Sequence, residues 1–198
     1  MFYTAEDPHG LPFDPFKAII APRPIGWIGS MDKGGRVNLA PYSFFNAVAS
    51  RPNMIAFSSE GMKDSARNAR DTGEFTFSLA TLPLVKQMNL SSASLREGEN
   101  EFDFAGLTMA QSRLVRPPYV EESPAALECK VVSFIQLKDL HGEAMEKYLV
   151  IGQVVATHIK DEFITNGRFD VVKAQTIARC GYNDYATVES QWELLRPS

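Results

Sequence analysis

Residues 23–68 read RPIGWIGSMDKGGRVNLAPYSFFNAVASRPNMIAFSSEGMKDSARN. The apolar runs are too short for helices and are rich in β-branched and aromatic residues, which predicts strands. Ile25–Ser30 is a strand, Asp32-Lys33-Gly34-Gly35 a hairpin turn with the glycines such turns need, and Val37–Tyr42 the returning strand. Pro41 marks a bulge or strand end, Phe44–Ser50 continues extended, residues 51–53 turn, and Met54–Ser58 is a third strand. Hydroxyls and amides rather than charges stand where these strands end: Ser30, Asn38, Ser43, Asn46, Ser58 and Ser59. Gly61-Met62-Lys63-Asp64-Ser65 then opens a helix. This mix suits a flat, amphipathic, phosphorylated ligand. Backbone and small polar groups meet the edge of a ring, and a lysine beside a helix N-terminus meets a phosphate.

Downstream, Ser65–Thr72 fits a short helix with Asp64 as its cap and Gly73 as its stop. Glu74–Ala80 alternates as a strand, and Leu84–Ser92 is a second helix. Leu95–Asp103 is polar and acidic, a solvated loop with a mobile lid as the functional alternative. Leu107–Met109 and Leu114–Val115 are short strands, followed by the long strands Ala125–Leu137 and Tyr148–Lys160, the latter bulged at Gly152. Upstream, residues 1–16 form an extended arm. Its aromatics are costly to leave in water, so it lies along the body or along a second subunit. Pro22 and Pro24 confine their segment to a sheet edge.

Seven or eight strands with two short helices, not alternating, exclude a doubly wound parallel sheet. The expected fold is mainly β, an antiparallel barrel with helices packed outside it, spanning residues 1–198 as a single domain. A 44% hydrophobic content is enough for a proper core. A net charge of −4 argues against a general nucleic-acid surface. The N-terminus has no signal-peptide pattern, and no apolar run is long enough to span a membrane, so a cytoplasmic protein is expected. Cys129 and Cys180 lack metal or redox spacing and read as reduced, largely buried thiols. The three histidines are too scattered to suggest a metal site.

The segments ARPIGWIGS, GGRVNLAPYSFFNAV and SEGMKDSARNARDTGEF, and later PPYVEESPAALEC, VVATHIKDEF and ARCGYNDYA, resemble the flavin reductase-like family. This family comprises FMN-binding split β-barrels, including flavoredoxins and the reductase components of two-component monooxygenases. The resemblance covers roughly residues 15–190 and implies a Greek-key split barrel, an FMN cofactor and a homodimer with flavin sites near the subunit boundary.

Under that resemblance Lys63, with the hydroxyls of Ser58, Ser59 and Ser65, meets the phosphate. The stretch from Asn38 to Ala47 supplies the ring's polar partners, with Ser43 and Asn46 at its rim. Trp27 and Tyr42 pack on the ring, or else are core residues. No dinucleotide fingerprint occurs. NADH or NADPH, if used, is expected at His158 and at Arg179 and Tyr182, positions where similar reductases contact the pyridine nucleotide or the flavin's outer face.

No nucleophile–base arrangement is present, so no catalytic residue is assigned: the flavin carries the chemistry. Three readings stand. The first is an FMN-dependent oxidoreductase taking electrons from NAD(P)H to free flavin, a partner monooxygenase or another redox acceptor. The second is a flavoredoxin-type electron carrier, and the third an FMN-binding protein without turnover.

Overall fold

A computed structural model describes residues 1–96 and 98–197. In chain order the elements are α1 (Phe16–Ile19), β1 (Arg23–Pro24), β2 (Gly26–Met31), β3 (Val37–Tyr42), β4 (Phe45–Ala49), β5 (Met54–Glu60), α2 (Asp64–Thr72) and β6 (Glu74–Leu79). Then follow α3 (Val85–Leu90), α4 (Glu101–Ala105), β7 (Met109–Ala110), β8 (Tyr119–Val120), β9 (Ala125–Lys138) and β10 (Ala144–Ile159). The chain closes with β11 (Ile164–Thr165), β12 (Arg168–Phe169), β13 (Ile177–Gly181) and β14 (Asp184–Thr187).

The main sheet has seven strands in the order β3-β2-β6-β9-β10-β5-β4, with antiparallel pairing throughout. It curls into a split barrel, and a small sheet, β1-β13-β14, lies outside it. The prolines fall where their missing N–H costs least: Pro41 on the edge strand β3, Pro24 on the edge strand β1.

Burial explains the strand patterns. Trp27 and Ile28 are both fully buried although they point to opposite faces of β2. Trp27 packs with Leu39, Met88 and Phe102 beneath α3 and α4. Ile28 packs with Phe57, Phe75 and Val150 inside the curl, under Ala69 of α2. A strand covered on both faces loses its period-2 signature and reads as a continuous apolar run. Gly152 sits at a register shift between β10 and β9, the bulge its sequence signalled. A Cβ there would stand 2.3 Å from Phe75 Cε1.

Two expectations need correction. Residues 114–115 are not a strand. The amides of Arg113, Leu114 and Val115 donate instead to the Glu128 carboxylate, at 2.8, 2.6 and 3.1 Å, so a side chain replaces a ladder. The polar stretch 95–103 is not simply a solvated loop. Glu97 lies outside the described residues, but Asn100 caps α4 by accepting from the Asp103 amide at 2.9 Å, and Phe102 is fully buried. On the single chain the arm does not bury its aromatics against the body, with Phe2 90% and Phe13 70% exposed, which leaves the alternative of a second subunit.

Candidate functional site: a polar cleft between β3 and the start of α2

The strands β3 and β5 run out beside the start of α2 and leave a cleft of about 800 Å³. That volume is within the range of small-molecule sites. Of the residues singled out in the sequence, Asn38, Tyr42, Ser43, Ser58, Lys63 and Ser65 line it. They converge because β3 and α2 pack on one another: Asn38 Nδ2 donates to Ser65 Oγ at 2.8 Å and faces Ser30 Oγ at 3.3 Å. Asn68 Nδ2 donates to the same Ser30 hydroxyl at 3.2 Å. Ser30 is therefore a buried tie below the cleft rather than part of its wall. Ser59 is likewise fully buried and donates to the Gly61 carbonyl at 2.8 Å, shaping the turn into α2.

The start of α2 is open to an anion. Lys63 occupies the N-cap position in an extended conformation and makes no side-chain cap. Asp64, expected as the cap, is the first helical residue and pairs with Arg67 instead. The first amides of a nine-residue helix thus keep their donor capacity beside a lysine ammonium, an arrangement that favours phosphate.

The wall of the cleft is built of fixed polar groups. Burial pushes the Tyr42 phenol above its ordinary value, while the Ser65 and Ser59 hydroxyls draw it partly back and the charge of Glu101 raises it further. The Tyr42 ring rests against Phe57 with centroids 4.9 Å apart. Glu101 of α4 accepts from the Leu39 amide at 3.0 Å, closing the unpaired edge of β3. The Ser58 amide donates to the Phe44 carbonyl at 2.8 Å where the strand turns away.

Five expected residues lie elsewhere. Trp27 has no exposed surface, and its Nε1 donates to Ser91 Oγ at 2.9 Å, so it is core and not a ring contact. Asn46 is exposed on β4 and accepts from the Ala47 amide at 2.8 Å, away from the rim. His158 lines a separate cavity of about 400 Å³ with Arg113 and Tyr119. Arg179 stacks on Tyr185 at 4.5 Å and donates to the Tyr182 carbonyl, and Tyr182 packs edge-on against Phe13 at 5.9 Å. Those contacts hold the outer hairpin β13–β14 together, and neither residue lines the cleft.

The structure adds Lys17, Arg67, Ser91, Ser92 and Glu101 to the lining. Only Glu101 had a legible signal: Asn100 followed three residues later by Asp103 is a capping pattern that places a helix start there.

The chain matches the Flavin reductase like domain over residues 20–172. It belongs to the flavin reductase-like family. A relative in Halalkalibacterium halodurans is 34% identical over 184 residues, covering 90% of this chain and 88% of its own. Among solved structures, nitrilotriacetate monooxygenase component B from Bacillus cereus superposes with a TM-score of 0.88 at 30% identity, over 98% of each chain. Flavoredoxin of Desulfovibrio vulgaris (Miyazaki F) shares the fold, with a TM-score of 0.76 at 22% identity over 100% of this chain and 97% of its own. FMN is the cofactor that stands with this membership of the flavin reductase-like family. The cleft fits it on its own chemistry: a lysine and open helix amides for a phosphate, hydroxyls and amides for the edge of a ring, and a tyrosine beside them.

Proposed function

We propose that this protein is a single-domain FMN-dependent oxidoreductase of the cytoplasm. It takes electrons from NADH or NADPH and passes them to free flavin, a partner monooxygenase or another redox acceptor. The observation that carries the reading is the uncapped start of α2, with Lys63 beside it, at one end of a cleft walled by Asn38, Tyr42, Ser43 and Ser58. The phosphate of FMN lies at Lys63 and the Ser65 end, and the ring lies along β3 toward Phe44. When bound, the flavin supplies the two-electron chemistry. The chain's own residues orient it: Asn38 is fixed by Ser65, and Tyr42 by its neighbouring hydroxyls. The likeness to a monooxygenase component B over nearly the whole length supports a partner oxygenase as acceptor.

A second reading, a flavoredoxin-type carrier without pyridine-nucleotide activity, draws on a specific observation. His158, Arg179 and Tyr182, the residues expected to receive the nucleotide, do not line the cleft. Anaerobic mixing of the FMN-loaded protein with NADH or NADPH separates the two. Rapid bleaching of the flavin band near 450 nm (the wavelength is roughly that of any bound flavin) supports the reductase. Reduction by dithionite alone supports the carrier. A purified protein that stays colourless with added FMN removes both.

The protein is also proposed to be a homodimer. The arm's Phe2 and Phe13, Val132 and Ile135 of β9, and Trp192, Leu194 and Leu195 near the C-terminus are all exposed, more apolar surface than a lone barrel usually shows.

A further inference from the structure

The arm that precedes the barrel ends in a short, firmly held helix. Arg23 is buried, and its guanidinium donates to the Lys17 carbonyl and, at 2.7 Å, to the Ile20 carbonyl, so the body and C-terminus of α1 are fastened to β1. The other side of α1 presses on β13: a Cβ on Gly181 would stand 2.7 Å from the Ala18 amide nitrogen and 2.8 Å from its Cα. A four-residue helix cannot hold itself together in water, so these two contacts decide where it sits. What this placement presents to the cleft is Lys17. Its side chain is on the cleft wall, with Nζ over the Phe44 ring at 5.7 Å from the centroid.

Lys17 and Lys63 reach the cleft from different elements, Lys17 from α1 over Phe44 and Lys63 from the start of α2. Asn38 is tied to Ser65 at the start of α2, and the chain then runs six residues to Phe44. With the phosphate at Lys63 and the ring along β3 toward Phe44, as proposed above, Lys17 stands beside the ring.

We propose that Lys17 sets the reduction potential of the bound flavin, acting as the cation that compensates the charge gained by the ring on reduction. The inference rests on the reading of the cleft as an FMN site. Reduction by a hydride equivalent delivers two electrons and one proton to an uncharged ring, leaving it with one negative charge. The donor, a reduced pyridine nucleotide or dithionite in the test below, is oxidised by the same two electrons. A cation fixed near the ring favours the charged product over the uncharged reactant. The phosphate carries the same charge in both states, so Lys63 has no such preference.

The test is the midpoint potential of bound FMN in the wild type, Lys17→Met, Lys17→Arg and Lys63→Ala, by anaerobic titration with dithionite against a reference dye. Lys17 is exposed, so its replacement leaves the core intact. Lys17→Met is expected to cut the preference for reduced over oxidised FMN about tenfold, which lowers the two-electron potential by about 30 mV. Its affinity for oxidised FMN should stay within about twofold of wild type, because only the reduced ring carries the charge at issue. Lys17→Arg keeps the potential, and Lys63→Ala weakens both redox forms alike and leaves the potential in place. An unchanged potential in Lys17→Met, or an equal fall in Lys17→Arg, overturns the proposal while FMN binding still stands. A loss of oxidised-FMN affinity matching that of Lys63→Ala also overturns it, since Lys17 would then be at the phosphate. A wild-type protein that takes up no FMN overturns the reading of the cleft and this inference together.

Discussion

Glu128 Oε1 lies 2.6 Å from His158 Nε2, and the Glu128 side chain has no exposed surface. The other partners of the carboxylate are the amides of residues 113–115, so one buried side chain pins a loop and a strand end at once. Tyr119 stacks over the imidazole with centroids 4.6 Å apart. His158 is thereby committed to the outer wall of the barrel and not to the cleft.

Acid stability follows from that pair. Burial pushes the Glu128 carboxyl up, but the Arg113 amide, His158, and the Leu114 and Val115 amides together outweigh it and hold it below its ordinary 4.5. A carboxyl depressed on folding contributes stability above its unfolded value, and that contribution is lost as pH falls through the folded one. Urea melts should therefore weaken as the pH falls below about 4.5. Glu128→Gln should lose about 1–3 kcal/mol at pH 7, the cost of leaving buried donors poorly met, and should show a flatter acid limb.

Lys63→Ala should weaken FMN binding by about 1.5–3 kcal/mol, the range for hydrogen bonds to charged groups. Riboflavin, which has no phosphate, should bind equally well to both proteins. Quenching of flavin fluorescence reads the two affinities, and equal losses would place Lys63 away from the phosphate.

Gly152→Ala tests the bulge. The new methyl would meet Phe75 Cε1 at 2.3 Å and Cys129 Cβ at 3.1 Å, and both neighbours are fully buried. Overpacking of this kind costs about 1–3 kcal/mol and should appear as a lower Tm. An unchanged Tm would mean that β9 and β10 slide apart freely at this point.

Light scattering at micromolar concentration should return about twice the 22.0 kDa of one chain. Deleting residues 1–14 should lower the dimer's stability or its flavin content if the exposed Phe2 and Phe13 cross to the partner. A single-chain mass for the intact protein would remove the dimer.

Local chemistry was enough for much of this molecule. The hairpin at residues 32–35, the edge prolines, the bulge at Gly152 and the stop at Gly73 are each dictated by what one or two residues permit in the backbone, so they are legible without a fold. The family motifs add FMN and the split barrel. The polar residues between Asn38 and Ser65 fall together only because the sheet curls and β3 packs on α2, since four strands separate β3 from β5 in the sheet. Tertiary structure decided what depends on distant segments meeting. Trp27 reads equally well as a ring contact or as core. It became core because α3 brings Ser91 to its indole nitrogen. Residues 114–115 carry strand-like side chains, but Glu128 takes their amides from across the fold. Lys17, just past the irregular arm of residues 1–16, had no signal. Its position in the cleft comes from Arg23 and Gly181, which fasten α1 from two sides, and such long-range packing leaves no periodic trace in the sequence.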